Sequence, residues 1–140
     1  MTFFEQELKK LFGDGQEFLE PKIVGNTCYG KLTDQIRVRI QFRTGIVADC
    51  YDRLNVTLIN RNQGPIDSMT IMLRDVWGMK RMSNRPSEKV SPYIWKNNQD
   101  VEWYGFTPTE QDDQKIKKAV GIYLDTFREP EEKLQFEQKI

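Results

Sequence analysis

Histidine is absent from this 140-residue sequence, and cysteine occurs at two positions, Cys28 and Cys50. Without histidine, Ser-His-Asp catalysis, Cys-His catalysis and histidine ligation of a metal are all excluded. The two cysteines are too far apart for a CxxC zinc or redox motif. We therefore expect two buried thiols in a cytoplasmic protein.

Long apolar runs are also missing. No run approaches the roughly 18 residues that a membrane-spanning helix needs. The start of the sequence, MTFFEQE, is acidic and unlike a signal peptide. The GDG tripeptide at residues 13–15 lacks the lysine and the spacing of a phosphate-binding loop. These absences predict a cytoplasmic protein without membrane contact, cofactor or metal.

Hydrophobic residues make up 38% of the chain and aromatic residues 11%, which is enough for one modest core. The length fits one domain. We expect a single domain over residues 1–130, and residues 131–140 read as a charged tail.

The first half of the chain shows one helical pattern and then three strand patterns. Apolar residues at helical spacing predict a helix over residues 2–12, capped by Thr2 and ended by Gly13. Residues 21–32 suggest a bulged or edge strand interrupted by Gly25 and Gly30. Residues 35–43 and 51–60 alternate apolar and polar side chains, as strands of an antiparallel sheet do.

The second half is less regular until its last helix. Residues 67–77 allow either a buried strand or a short helix, and residues 78–92 read as a long polar loop. Residues 93–95 and 101–104 suggest a hairpin. The last helix is predicted to begin at an N-cap Thr107, with Pro108 next and Glu110 three positions on. Its apolar stripe is Ile116, Ala119, Val120, Tyr123, Leu124 and Phe127.

This order of elements predicts an α+β fold. We expect a mostly antiparallel sheet of about five strands, an N-terminal helix, and a C-terminal amphipathic helix packed on one sheet face.

Several stretches of the chain resemble a family of small proteins encoded within conjugative elements of Gram-positive bacteria. The resemblance implies a cytoplasmic accessory protein of a mobile element, and it implies no activity and no site residue. The matching stretches are FEQEL (4–8), LFGDG (11–15), VTLINR (56–61), DVWG (75–78), PYIW (92–95), EWY (102–104) and YLDTFR (123–128).

Positive charge is concentrated in the middle of a chain whose net charge is zero. Residues 36–98 hold eleven basic and five acidic residues, a net +6, while residues 1–35 carry −2 and residues 99–140 carry −4. This pattern predicts a site for an anionic partner. The candidate binding residues are Arg37, Arg39 and Arg43 on one strand face, which Arg53 could join, and Lys80, Arg81 and Arg85 in the loop.

Two interpretations of these cations stay open. They either contact a partner by guanidinium hydrogen bonds, or they are neutralised within the fold by cross-strand acids and by the acidic first turn of the last helix. Six aromatic residues are also open to two interpretations: they pack in the core, or they form a partly exposed binding patch. They are Trp77, Tyr93, Trp95, Trp103, Tyr104 and Phe106.

Catalytic patterns are weak throughout. Asp49 with Asp52, or Glu110 with Asp113, could offer oxygen ligands to Mg²⁺, but capping and the helix dipole already explain the second pair. Residues 20–22 match a nuclease-like Glu-x-Lys pattern, but a pattern this short arises easily by chance. We therefore predict a non-enzymatic interaction protein whose partner is an unidentified protein, with nucleic-acid binding as the alternative.

Overall fold

The computed structural model describes residues 3–45, 51–82, 94–95 and 101–128, and for residues 94–95 and 101–102 it describes the backbone. These ranges contain three helices and eight strands. In chain order they are α1 (Phe3–Phe12), β1 (Leu19–Val24), β2 (Thr27–Lys31), β3 (Ile36–Thr44), β4 (Tyr51–Asn60), β5 (Gly64–Met72), α2 (Leu73–Val76), β6 (Met79–Met82), β7 (Ile94–Trp95), β8 (Val101–Phe106) and α3 (Glu110–Asp125).

The first five strands form one antiparallel sheet in the order β1-β2-β3-β4-β5. Its centre is the pair β3 and β4, whose register runs from Ile36 opposite Asn60 to Arg43 opposite Arg53. A helix precedes this sheet in the chain and a longer helix follows it. The predicted α+β fold with a five-stranded antiparallel sheet is therefore confirmed.

One face of this sheet, which we call the covered face, is buried. Val38, Ile40 and Phe42 of β3 alternate with polar residues, and all three are at most 1% exposed. Leu54, Val56 and Leu58 continue the same face on β4. Apolar side chains of α1 and α3 belong to the same core cluster, so both helices lie on this side of the sheet.

Helix α1 agrees with the prediction from its periodicity. Phe4, Leu8, Leu11 and Phe12 are buried. At its end the Gly13 amide donates to the Lys9 carbonyl at 3.0 Å. A Cβ atom on Gly13 would lie 2.6 Å from that oxygen, so glycine is needed there. The proposed Thr2 cap lies outside the described residues.

The single strand predicted over residues 21–32 is wrong, because the structure has a hairpin there. β1 and β2 pair antiparallel, and Val24 opposite Thr27 leaves Gly25 and Asn26 as a two-residue loop. Gly25 has φ of 59°, at the loop position where a type II′ turn requires glycine. The edge position and the bulge were anticipated correctly, since β1 is an edge strand with an irregularity between Leu19 and Lys22.

Gly30 has a packing role in β2. A Cβ atom there would lie 2.0 Å from Cδ2 and 2.2 Å from Cε2 of Phe18. Phe18 itself is 2% exposed, and its ring centroid is 5.7 Å from that of Phe12. The Phe18 ring thus occupies the space that a side chain at residue 30 would fill.

Helix α3 begins two residues later than predicted. Thr109, not Thr107, is the N-cap, and its side chain accepts from the Asp112 amide while the Asp112 carboxylate accepts from the Thr109 amide. Thr107 instead continues the pairing of β8 with the β6 side of the smaller sheet, since its amide donates to the Gly78 carbonyl at 2.8 Å.

The predicted stripe of α3 is buried along its centre and partly exposed along its edge. Ile116, Val120 and Leu124 are fully buried, whereas Tyr123 and Phe127 are half-buried and Ala119 is exposed. Polar contacts hold the helix to the segment after α1. Lys117 Nζ lies 3.1 Å from Asp14 Oδ2 and 3.7 Å from Glu17 Oε1.

Residues 67–77 contain a strand followed by a short helix, since β5 ends at Met72 and α2 comes next. The strand is not the predicted buried one, because every residue of β5 is exposed or half-buried. The predicted loop over residues 78–92 is wrong in its first part, because Met79–Met82 forms strand β6. β6 and β7 both pair with β8 in a three-stranded sheet, and the β7–β8 pairing confirms the predicted hairpin. Residues 83–93 lie outside the described residues.

Trp77 packs into the aromatic part of the core and connects the two sheets. It is 3% exposed, and its ring centroid lies 5.7 Å from Phe42 of β3 and 5.4 Å from Phe106 of β8. Trp103 and Tyr104 are half-buried. Trp77 and Phe106 therefore pack in the core. Tyr93 and the side chain of Trp95 lie outside the part of the chain that the structure describes.

No helix in the described ranges combines the length and the apolar character needed to cross a membrane. The predicted tail at residues 131–140 lies beyond the last described residue.

Candidate binding surface

The second face of the five-stranded sheet carries the predicted arginines, and we call it the arginine face. Arg37, Arg39 and Arg43 of β3 point away from the covered face because side chains alternate along a strand. Arg37 and Arg43 are exposed and Arg39 is half-buried. Arg37 and Arg39 are one two-residue step apart, about 7 Å along the strand.

The register of the sheet gives each arginine its neighbours. Arg39 lies between Tyr29 of β2 and Thr57 of β4. Arg37 lies between Lys31 and Ile59 in the same way. Tyr29 is 47% exposed, so an aromatic ring stands beside the middle arginine.

Polar uncharged residues fill the middle of the arginine face. Gln41 of β3 stands opposite Asn55 of β4, and Asn55 stands opposite Thr70 of β5. The Thr70 hydroxyl donates to Asn55 Oδ1 at 2.8 Å. The face therefore offers hydrogen-bonding groups between its cations.

Arg53, which was expected to join the arginine face, is already bound to a carboxylate. The pairing shifts between Arg43 and Thr44, so that Asp52 is an extra residue in β4. Such a bulge redirects side chains, and here Arg53 Nε donates to Asp52 Oδ1 at 2.8 Å and Nη2 donates to Oδ2 at 3.2 Å. The hydrogen bond that Arg53 donates to Asp52 raises the pKa of Arg53.

Lys31 is also paired. Its Nζ lies 3.0 Å from Asp34 Oδ1, and this contact holds the pKa of Asp34 below its ordinary value. In contrast, Arg37, Arg39 and Arg43 make no ion pair with any residue that the structure describes. Arg53 and Lys31 are therefore neutralised by acids close to them in sequence, Asp52 and Asp34, and the predicted cross-strand ion pairs are not found among the described residues.

The acidic first turn of α3 does not reach the arginine face. Asp112 accepts from the amide of Gly78 at 3.0 Å and from that of Thr109 at 3.1 Å, and these two bonds lower its pKa. α3 packs through Ile116 and Leu124 on the opposite, covered face. The alternative in which this turn neutralises the arginines within the fold is therefore not realised for Asp112, whose carboxylate is bound to backbone amides.

The predicted site is divided between the two sheets. Lys80 and Arg81 are exposed on β6, where they stand opposite Gly105 and Tyr104 of β8. β6 belongs to the three-stranded sheet and not to the one with the arginines. Arg85 lies outside the described residues. The structure thus places Arg37, Arg39 and Arg43 together and puts Lys80 and Arg81 on a separate sheet.

Of the carboxylates considered for a metal, Asp52, Glu110 and Asp113 are among the described residues. In the described part of the chain, no three His, Cys, Asp or Glu side chains form a group that could hold a metal ion. Asp52 is bound to Arg53, and Asp49 lies outside the description. Glu20 is exposed and has φ of 55°, within the irregular part of β1.

One polar feature was missed by the sequence reasoning. Glu7 of α1 and Asp113 of α3 are 3% and 8% exposed, although capping and the helix dipole were expected to explain Asp113. The carboxylate that takes part in the capping box with Thr109 belongs to the neighbouring residue, Asp112. A signal was present, because Glu7 is flanked by Phe4 and Leu11 at helical spacing, and Asp113 precedes Ile116 by three residues.

Comparison with protein-family models, with curated proteins and with solved structures finds no match to the chain. Functional inference therefore depends on the arrangement of its own residues.

Proposed function

We propose that this protein is a non-catalytic interaction module that binds an acidic partner protein on its arginine face. The observation that carries the proposal is the set of three arginines on one strand, Arg37, Arg39 and Arg43, without an ion pair to any described residue. Guanidinium groups bind carboxylates by paired hydrogen bonds. The amide and hydroxyl groups of Gln41 and Asn55 add neutral hydrogen-bonding capacity.

A protein partner fits the charge distribution better than a long polyanion. The net charge of the chain is zero and its pI is about 6.3, so no overall positive field attracts a nucleic acid from a distance. A local acidic patch on a protein requires charge complementarity only across the contact. The three arginines and the polar residues between them supply that complementarity.

Single-stranded nucleic acid is the second candidate, and Tyr29 is the observation that favours it. Its ring is 47% exposed and stands directly opposite Arg39. Sheet faces that bind single strands combine cations for the phosphates with aromatic rings on which bases stack. Here one ring is placed in that way.

The proposal of a non-catalytic role is supported by the chemistry of the remaining groups. The chain has no histidine. Burial raises the pKa of the Cys28 thiol to about 11, so this thiol carries almost no thiolate at neutral pH. The accompanying proposal that the protein is a cytoplasmic accessory of a mobile genetic element depends on the sequence resemblance alone.

The test is a double charge reversal, Arg37→Glu with Arg39→Glu, against a matched control, Lys115→Glu with Lys118→Glu. The control residues are exposed on α3, on the other side of the sheet. Binding of an acidic peptide, (Glu)₁₀, is measured by fluorescence anisotropy, and cross-linking pull-down measures the partner protein. We expect the arginine variant to lose binding at least tenfold and the control to keep it.

The same titration with a 20-nucleotide mixed-sequence single strand separates the two candidates. If the three arginines neutralise three phosphates, affinity falls about 20-fold between 50 and 200 mM salt. Tight, salt-sensitive binding of the single strand without peptide binding would favour the nucleic acid. Binding that survives Arg37→Glu with Arg39→Glu for every probe would refute the arginine face as the site.

A further inference from the structure

Three buried polar atoms without a hydrogen-bond partner meet at the junction of α1, α3 and Trp77. They are Glu7 Oε2, Asp113 Oδ1 and Trp77 Nε1. All three residues are at least nine-tenths buried. Asp113 interacts with both Glu7 and the Trp77 indole, so the three groups form one cluster, which we call the carboxyl pair with its indole.

Two ionised carboxylates cannot satisfy each other, because each oxygen then only accepts hydrogen bonds. A buried acceptor left without a donor is unfavourable, and more so when it is charged. One proton on either carboxyl supplies an O–H that donates to the other. The unpartnered oxygens of Glu7 and Asp113 are the atoms that such a proton would join.

We propose that Glu7 and Asp113 share one proton at neutral pH, and that this proton holds α1 against α3. The shared-proton pair carries a single negative charge. Lys10 opposes that charge, since its Nζ lies 3.3 Å from Glu7 Oε1. Loss of the proton leaves two negative charges facing one lysine whose side chain is 67% exposed.

The groups around Asp113 explain why it keeps the proton. Desolvation is the largest cause, followed by the charge of Glu7 and by the hydrogen bond that a protonated Asp113 donates to Glu7, and together they raise the pKa of Asp113 to about 7. Lys10 of α1 and the Trp77 indole act in the opposite direction. On α3 itself, Asp112 is bound to the Gly78 and Thr109 amides, and Lys117 is paired with Asp14 and Glu17.

The direction of the effect on stability follows from proton binding. Between pH 4 and pH 7 the folded state holds a proton on Asp113 that the unfolded state has released, so unfolding free energy falls as pH rises through this range and levels off above it. Glu17 acts in the same direction, because burial raises its pKa as well. A variant of Glu17 is therefore needed to assign the effect.

The first experiment measures Tm from pH 5.5 to 8.5, where ordinary carboxyls are ionised in both states. The full-length chain, Asp113→Asn and the control Glu17→Gln are compared. We expect Tm of the unmodified chain to fall by about 5–10 °C, and Glu17→Gln to retain most of that fall. Asp113→Asn, whose amide can donate to Glu7, should be nearly flat and at least as stable at pH 8.5.

A second measurement keeps the proposal testable if Asp113→Asn does not fold. Carboxyl ¹³C NMR of the full-length chain should show Asp113 titrating near pH 7, with its midpoint moving toward 4 in Glu7→Gln. An Asp113 midpoint near 4 in the unmodified chain would overturn the proposal. So would a Tm that stays flat with pH, or one whose slope Asp113→Asn leaves unchanged.

Discussion

The covered face and the arginine face of the central sheet share the same backbone but meet opposite environments. Phe42 on the covered face is fully buried between the rings of Phe4 and Trp77. Arg43, the next residue in the same strand, is exposed. Residues of one strand thus alternate between the core and the solvent-exposed face, and substitutions on the two faces should have separable effects.

The largest expected effect is on the covered face. Replacing Phe42 by Ala removes a fully buried ring and should lower the unfolding free energy by about 3–5 kcal/mol. Arg43→Ala, its neighbour on the other face, should change it by less than about 0.5 kcal/mol. Urea denaturation of both variants measures the difference, and equal midpoints would contradict the assignment of the two faces.

A smaller effect is expected where the covered face has no room for a side chain. Gly30→Ala places a methyl group against the Phe18 ring and should cost about 1–3 kcal/mol. Gly121→Ala is the matched control, since a Cβ atom there meets nothing within 4 Å and the residue lies inside α3. Replacing that helical glycine should stabilise the protein by up to about 1 kcal/mol. A stabilising Gly30→Ala would show that Phe18 can move aside.

A smaller change in stability is expected from breaking the capping box of α3. Asp112→Ala removes the acceptor for the Gly78 and Thr109 amides and should cost about 1 kcal/mol at pH 7. Because the pKa of Asp112 is lower in the folded state, this contribution is present above pH 4 and disappears as pH falls through the folded value. The difference in Tm between the unmodified protein and Asp112→Ala should therefore shrink as the pH is lowered from 7 to 2.5, which thermal melts at the two pH values measure. Glu110→Ala, in the same turn, is the control and should show a smaller loss.

The smallest effect on stability is expected from the variant with the largest effect on binding. Arg37→Glu with Arg39→Glu should change the unfolding free energy by about 0.5 kcal/mol or less, because no described carboxylate pairs with either residue. Urea denaturation checks this value. Extensive unfolding of the double variant would instead assign these arginines to the internal electrostatics of the fold.

Strands β3 and β4 could be predicted from the alternation of apolar and polar residues, because each strand has one buried face and one face exposed to water. Ile36 to Phe42 and Leu54 to Leu58 follow period two without exception. The β1–β2 hairpin was missed because Gly25 was interpreted as an interruption of one strand, although Gly-Asn between strand-forming residues is a signal for a two-residue hairpin loop.

The start of α3 and the carboxyl pair depended on tertiary contacts that local patterns do not contain. Thr107 and Thr109 each have an acid three positions later, so the local pattern does not distinguish the two as N-cap candidates. In the structure the Thr107 amide donates to the Gly78 carbonyl, and Thr109 is the N-cap. Glu7 and Asp113 are 106 positions apart and become neighbours only when α1 and α3 pack together. For the candidate site, the sequence predicted the shared face of Arg37, Arg39 and Arg43, but not that Lys80 and Arg81 belong to another sheet.

The ion pair between Asp14 and Lys117, which are 103 residues apart, has a consequence for how the chain folds. Closing a loop of that length costs about 4 kcal/mol of chain entropy, whereas each hairpin of the central sheet pairs strands that are adjacent in sequence. During translation the sheet is complete at Met72, and α3 begins at Glu110. At roughly 5–20 residues per second, the stretch from Met72 to the end of α3 at Asp125 takes about 3–11 s to synthesise. During that interval the apolar side of the nascent sheet lacks its second helix and is the surface that a chaperone or an aggregating chain would meet.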